Sequence, residues 1–177
     1  LRELLKRSMQ MTAFIIFPLM MLLIIIAEPV FTLLYGNQWL DAVPYFQILC
    51  IGGFFSALYN FSYYGIAAIG RSKALFYWGC YKWGMLLLLL LIGASLSMRW
   101  VLIAMVISNM NIYLTNGYLV QRHIGYTLVR QIADVLPILV CTLICGAMTY
   151  TLYTELNIHW LLASLLFAIS YLIASYL

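Results

Sequence analysis

The chain has 177 residues, 66% of them apolar and 8% charged, with a formal net charge of +4. A soluble domain carries about 25% charged residues, so this composition excludes a water-soluble globular fold. Apolar runs of roughly 20 residues recur along the whole length, each long enough to cross a hydrocarbon core about 30 Å thick.

Six spans are predicted in chain order. A basic segment, LRELLKR, precedes the first span, Thr12–Leu34, in which Pro18 is placed to kink the helix and Pro29 follows Glu28 near the end. The hairpin YGNQWLDAVP comes next. Tyr35 and Trp39 suit a membrane–water boundary, Gly36 and Asn37 permit the turn, and Pro44 suits a helix start. The second span, Tyr45–Ile69, carries Asn60, Ser62, Tyr63 and Tyr64, and ends in the turn GRSK. The third, Leu75–Ser97, contains Lys82. The fourth, Trp100–Val120, contains Ser108, Asn109, Asn111 and Asn116. After QRHIGYTLVRQ, the fifth span, Ile132–Tyr153, has Asp134 in its first turn and Pro137 soon after. The sixth is Trp160–Leu177. The runs are continuous rather than alternating, and lipid requires the backbone to satisfy its own hydrogen bonds, so the spans are helices. Connections of roughly five to eleven residues make consecutive helices antiparallel. The expected fold is an all-α polytopic transmembrane bundle of about six antiparallel spans, one membrane domain over 1–177 without a linker or soluble domain. With no initiator Met and an apolar run at its last residues, the chain is expected to be a piece of a longer protein.

Basic residues predict the orientation. Arg2, Lys6 and Arg7, then Arg71 and Lys73, then Arg122 and Arg130 all fall on one side by alternation, against Arg99 on the other. The N-terminal end is therefore expected in the cytoplasm and the YGNQWLDAVP hairpin outside.

Few residues offer chemistry. Lys82 lies roughly 13 Å into its helix at 1.5 Å per residue, and an ionisable group at that depth is a functional candidate. It either faces a cavity and holds an anionic headgroup or snorkels to the interface among Phe76, Tyr77, Trp78, Tyr81 and Trp83. Glu28 is a candidate ion site or a residue reaching interfacial water. Asp134 complements a helix N-terminus. Asn60, Tyr63, Tyr64, Asn109 and Asn116 either line a sugar-binding cavity or join helices. Cys50, Cys80, Cys141 and Cys145 read as small buried side chains; Cys141 and Cys145 share a helix face, but no His or carboxylate nearby completes a metal set. No phosphate-cradling glycine loop or hydrolase motif is present, and His123 and His159 are isolated. No catalytic residue, metal site or cofactor is expected.

Several stretches together resemble the C-terminal half of the bacterial O-antigen and exopolysaccharide flippases, in the multidrug/oligosaccharidyl-lipid/polysaccharide exporter superfamily. They are LRELLKRSMQ, FIIFPLM, EPVFTLLYGNQWLDAVPYFQILCIGG, AAIGRSKALF and YKWGMLLLLL. The hairpin from Leu34 to Ala42 is the most specific part, and the turn Gly70–Lys73 the second. The resemblance implies a fragment of a roughly fourteen-helix transporter of the bacterial inner membrane. Such a transporter flips undecaprenyl-diphosphate-linked oligosaccharide from the cytoplasmic to the outer leaflet by alternating access, with a polysaccharide polymerase as a further partner. It implies a cationic cavity, for which Lys82 is the matching position, with Asn60, Tyr63, Tyr64, Asn109 and Asn116 toward the sugars and Glu28 toward a coupling ion. A drug/cation antiporter or lipid II flippase of the same fold, a membrane-embedded polysaccharide polymerase or ligase, and a non-catalytic scaffold remain open; the short loops count against a polymerase or ligase.

Overall fold

The computed structural model describes residues 2–155 and 159–176, and every regular element among them is helical. The helices are α1 (Arg2–Ile25), α2 (Ala27–Tyr35), α3 (Val43–Ala68), α4 (Ser72–Leu96), α5 (Met98–Ile124), α6 (Leu128–Glu155) and α7 (Trp160–Tyr176), with a 3₁₀ turn at Asn37–Ala42 before α3. Leu1 and Leu177, the outer ends of the expected basic segment and sixth span, lie outside the described residues. Five stretches are long and apolar enough to cross a membrane: α1, the 3₁₀ turn with α3, α4, α5 and α6. The helix at Trp160 is apolar but shorter.

Two features of the first span differ from the expectation. The helix begins at Arg2, not near Thr12, because Leu5, Met9, Ala13 and Phe17 recur every fourth residue and bury one continuous stripe. The helix also breaks at Ile26, which has φ −94° and ψ 12°. Pro29 explains the break: it cannot donate to the carbonyl of Ile25, and its ring crowds that carbonyl. Gln47 of α3 donates its side-chain amide to the Ile24 carbonyl at 3.0 Å, tying α3 to the last turn of α1. Pro18, by contrast, sits inside an uninterrupted α1. The α2–α3 connection turns at Gly36, whose φ of 83° suits a residue without Cβ, and Pro44 lies in the first turn of α3.

Side-chain pairs set the helix directions. Asn109 reaches Gly52 and Asn116 reaches Tyr59, each pair 57 residues apart, so α3 and α5 run parallel. Met20 meets Gly53 and Leu5 meets Gly65, so α1 and α3 run antiparallel. Lys6 and Gln10 reach Asp134 while Met21 meets Gly146, so α1 and α6 run parallel. These directions place the start of α1, the α3–α4 turn and the α5–α6 turn at one end of the bundle, called the basic end below.

Helices α1, α3, α5 and α6 form a ring, with α4 packed mainly on α5 and α7 on α6. The core joins Leu5, Met9 and Phe17 of α1, Leu58 and Ile66 of α3, Tyr113 and Val120 of α5, Val135 of α6, and Tyr126 of the α5–α6 connection. Lipid tails are as apolar as leucine, so close fit and interhelical hydrogen bonds must hold such helices together. Gly93 shows the need for close fit: a Cβ there would lie 2.9 Å from the Val101 Cα, so the α4–α5 hairpin closes only around glycine. A groove of about 590 Å³ is lined by apolar residues of all four ring helices, Phe17, Phe54, Leu58, Met110 and Leu139 among them.

Candidate functional site

Lys82 projects from α4 at the edge of the bundle, half-buried. Helical side chains lean toward the helix N-terminus, which for α4 is the basic end. The Lys82 Nζ lies over three rings: 4.8 Å from the centroid of Tyr59 on α3, 5.5 Å from Trp78 and 5.5 Å from Trp83. Each distance is within the roughly 6 Å range of a cation–π contact. Tyr59 and Lys82 are set back by similar lengths of helix from the α3–α4 turn, so the ammonium meets a ring of the neighbouring helix. No carboxylate pairs with it among the described residues. Tyr63 packs on Trp78 with ring centroids 5.5 Å apart, and Tyr64 adjoins Tyr63 at 5.5 Å. The indole N–H of Trp78 is buried without an acceptor among the described residues. One ammonium and one unpaired donor therefore share a wall of aromatic rings.

The asparagines divide. Asn116 is fully buried and donates its side-chain amide to the Tyr59 carbonyl at 3.3 Å. Asn109 donates to the Gly52 carbonyl at 3.4 Å. Both amide N–H groups bond the backbone of α3, two turns apart, where they register α5 against it. Asn116 also steadies the stretch of α3 that carries Tyr59. Asn111 accepts from the Tyr81 hydroxyl at 2.6 Å and so ties α4 to α5. Asn60 faces outward and donates to Ser56 within its own helix. Of the residues expected to line one sugar-binding cavity, the fold gathers Lys82, Tyr63 and Tyr64. Asn60 stands on the exposed face of α3, and Asn109 and Asn116 lie in the α3–α5 contact. The large groove has no charged lining residue.

A second polar cluster occupies the basic end. Lys6 of α1 pairs with Asp134 of α6 at 2.8 Å, and the Tyr126 hydroxyl donates to the other Asp134 oxygen at 2.6 Å. Arg2 lies 5.7 Å above the Tyr126 ring, and Gln10 donates to the Asp134 carbonyl at 3.2 Å. Burial first, and then the Asp134 carboxylate it donates to, push the Tyr126 phenol above its ordinary range, so the tyrosine stays a neutral donor. Gln131, fully buried, donates to the carbonyls of Gly117 and Tyr126. Helix α6 begins at Leu128, which puts Asp134 nearly two turns in rather than in the first turn. A lysine on another helix therefore answers its charge, where a helix N-terminus was expected.

Glu28 stands at the opposite end, exposed in the first turn of α2, beside a cleft of about 510 Å³ that Thr32, Tyr153 and Trp160 also line. Cys145 and Cys141 pack with Ile25, Ile26 and Phe167 as small apolar side chains.

Sequence reasoning missed Tyr59 and the Lys6–Asp134 pair. Tyr59 was findable, since it precedes Tyr63 by one turn and shares its face. Lys6 and Asp134 are 128 positions apart in sequence, and no local pattern links them.

This arrangement defines a multi-pass helical membrane protein with no recognisable reaction centre among its described residues and one lysine held by aromatic rings. Its first 44 residues, from α1 through the hairpin to Pro44, match the sequence profile of a family described as "Polysaccharide biosynthesis protein". Over 78 residues the chain is 33% identical to the teichuronic acid biosynthesis protein TuaB of Bacillus subtilis (strain 168). That match covers 44% of this chain and 16% of the relative's length. No solved structure matches the chain.

Proposed function

We propose that this chain is part of a flippase that carries lipid-linked oligosaccharide from the cytoplasmic to the outer leaflet of a bacterial inner membrane by alternating access. The observation that carries this reading is the Lys82 ammonium, held within a membrane-spanning helix among aromatic rings with no carboxylate partner among the described residues. A cation at that depth suits the diphosphate of an undecaprenyl-diphosphate-linked sugar, since charges inside a membrane are retained where they meet a ligand or a partner. Tyr63 and Tyr64 extend the wall with ring faces suited to sugars, while Asn60, on the exposed face of α3 and bonded within its own helix, is left out of it. Asn109 and Asn116 serve packing in this reading. Glu28, in its cleft at the other end, is the proposed ion-coupling carboxylate. The basic end faces the cytoplasm, by the distribution of Lys and Arg.

The test is complementation of a flippase-null strain with the full-length protein. Lys82→Ala should abolish surface polysaccharide at normal protein abundance, while Asn109→Ala should retain most of it. Full surface polysaccharide with Lys82→Ala would falsify the reading.

A further inference from the structure

We infer that Tyr59, Trp78 and Trp83 are positioning residues for Lys82. Their rings hold its ammonium in place of a carboxylate, at the depth of Tyr59, so that the charge stays available to an anionic ligand; that last clause rests on the function proposed above. Three observations converge. The ammonium lies 4.8–5.5 Å from three ring centroids on two helices, each within reach of a cation–π contact. The main chain that carries Tyr59 is tied to α5 by the Asn116 amide, which donates to the Tyr59 carbonyl at 3.3 Å. The buried Trp78 N–H has no acceptor among the described residues, so the same cluster holds a second donor without a partner. A carboxylate would hold the lysine more tightly but would also compete with the ligand. A ring face attracts the cation through its quadrupole and brings no acceptor oxygen to be displaced.

The role separates from mere packing by the reactivity of the lysine. The full-length protein in nanodiscs, open to solvent on both faces, is treated with a water-soluble amine-acylating reagent. Acylation of Lys82 is then read by peptide mass spectrometry relative to the exposed Lys73. Tyr59→Leu should raise the Lys82 ratio about fivefold, since the freed ammonium moves toward water. Tyr59→Phe, which keeps the ring face, should leave the ratio unchanged. A Tyr59→Leu ratio equal to the wild-type value overturns the inference. A rise at Lys6 as well marks loss of the fold. Trp83→Leu, at the exposed rim of the cluster, then carries the test under the same criterion. Farnesyl diphosphate, added to the wild type, should lower Lys82 acylation. If it does not, while Tyr59→Leu still raises the ratio, the diphosphate reading fails and the positioning role stands.

Discussion

Lys6 and Lys82 are both half-buried lysines on helices of this bundle, and their charges are answered in opposite ways. Lys6 meets a carboxylate at 2.8 Å, and that carboxylate also accepts from Tyr126. Lys82 meets only ring faces among the contacts found for it. A charge-assisted pair joins α1 to α6 and leaves little of either charge for anything else. A ring-held ammonium gains less from its surroundings and keeps its hydrogen-bonding protons. The first arrangement is a structural tie, and the second suits a binding group.

Substitutions at the two sites should therefore divide between transport and stability. The largest effect belongs to Lys82→Ala, which should lower transport of lipid-linked sugar in vesicles more than about tenfold while leaving the thermal midpoint of the purified protein nearly unchanged. A large drop in that midpoint would make Lys82 a tie like Lys6 and erase the distinction. Next comes Asp134→Asn, which leaves Lys6 and Tyr126 without their anion. Breaking a fully buried pair costs about 3–5 kcal/mol. With side-chain exposures of 37% and 21%, solvent screening reduces the expected loss to about 1–2 kcal/mol, measured by thermal unfolding in detergent. Lys6→Met in the same background should recover part of that loss, and no recovery would show that the two residues are not coupled. Asn116→Ala should cost about 1 kcal/mol, within the range of interhelical polar contacts, and should also raise the water reactivity of Lys82 by loosening the α3 stretch beneath Tyr59. The smallest effect is expected at Glu28→Gln, which should leave the melting temperature alone and alter only the dependence of transport on an imposed ion gradient. A shift in melting temperature there would make Glu28 a structural residue.

Much of the fold is legible along the chain because membrane helices are local objects. Backbone hydrogen bonds close within four residues, and apolar runs of bilayer length mark where they must do so. The turn at Gly36 and the helix start at Pro44 follow from single residues in the same way. Where the expectation strayed, longer periodicity or a proline was the cause. The buried stripe from Leu5 to Phe17 carries α1 back into the basic segment, and Pro29 acts one turn upstream of itself, at Ile25 and Ile26.

The candidate site was only half legible. Lys82 stands out because a charge in an apolar run is costly wherever it points. Its surroundings do not stand out, because Tyr59 reaches it only through the fold of α4 back beside α3. The asparagines show the same limit. Their seven-residue spacing places Asn109 and Asn116 on one face, but whether that face meets a cavity or the carbonyls of Gly52 and Tyr59 depends on which helix packs there.

By itself, then, the sequence determined a helical membrane bundle, the positions of its turns, the end where basic residues gather, and the one lysine set deep in an apolar helix. Tertiary structure alone decided which lysine meets a carboxylate and which meets rings, and which amides are consumed in packing. The physical reason is range: hydrogen bonds within a helix and burial of a side chain in lipid act over a few residues, whereas a cation chooses its partner only after distant helices have been brought side by side.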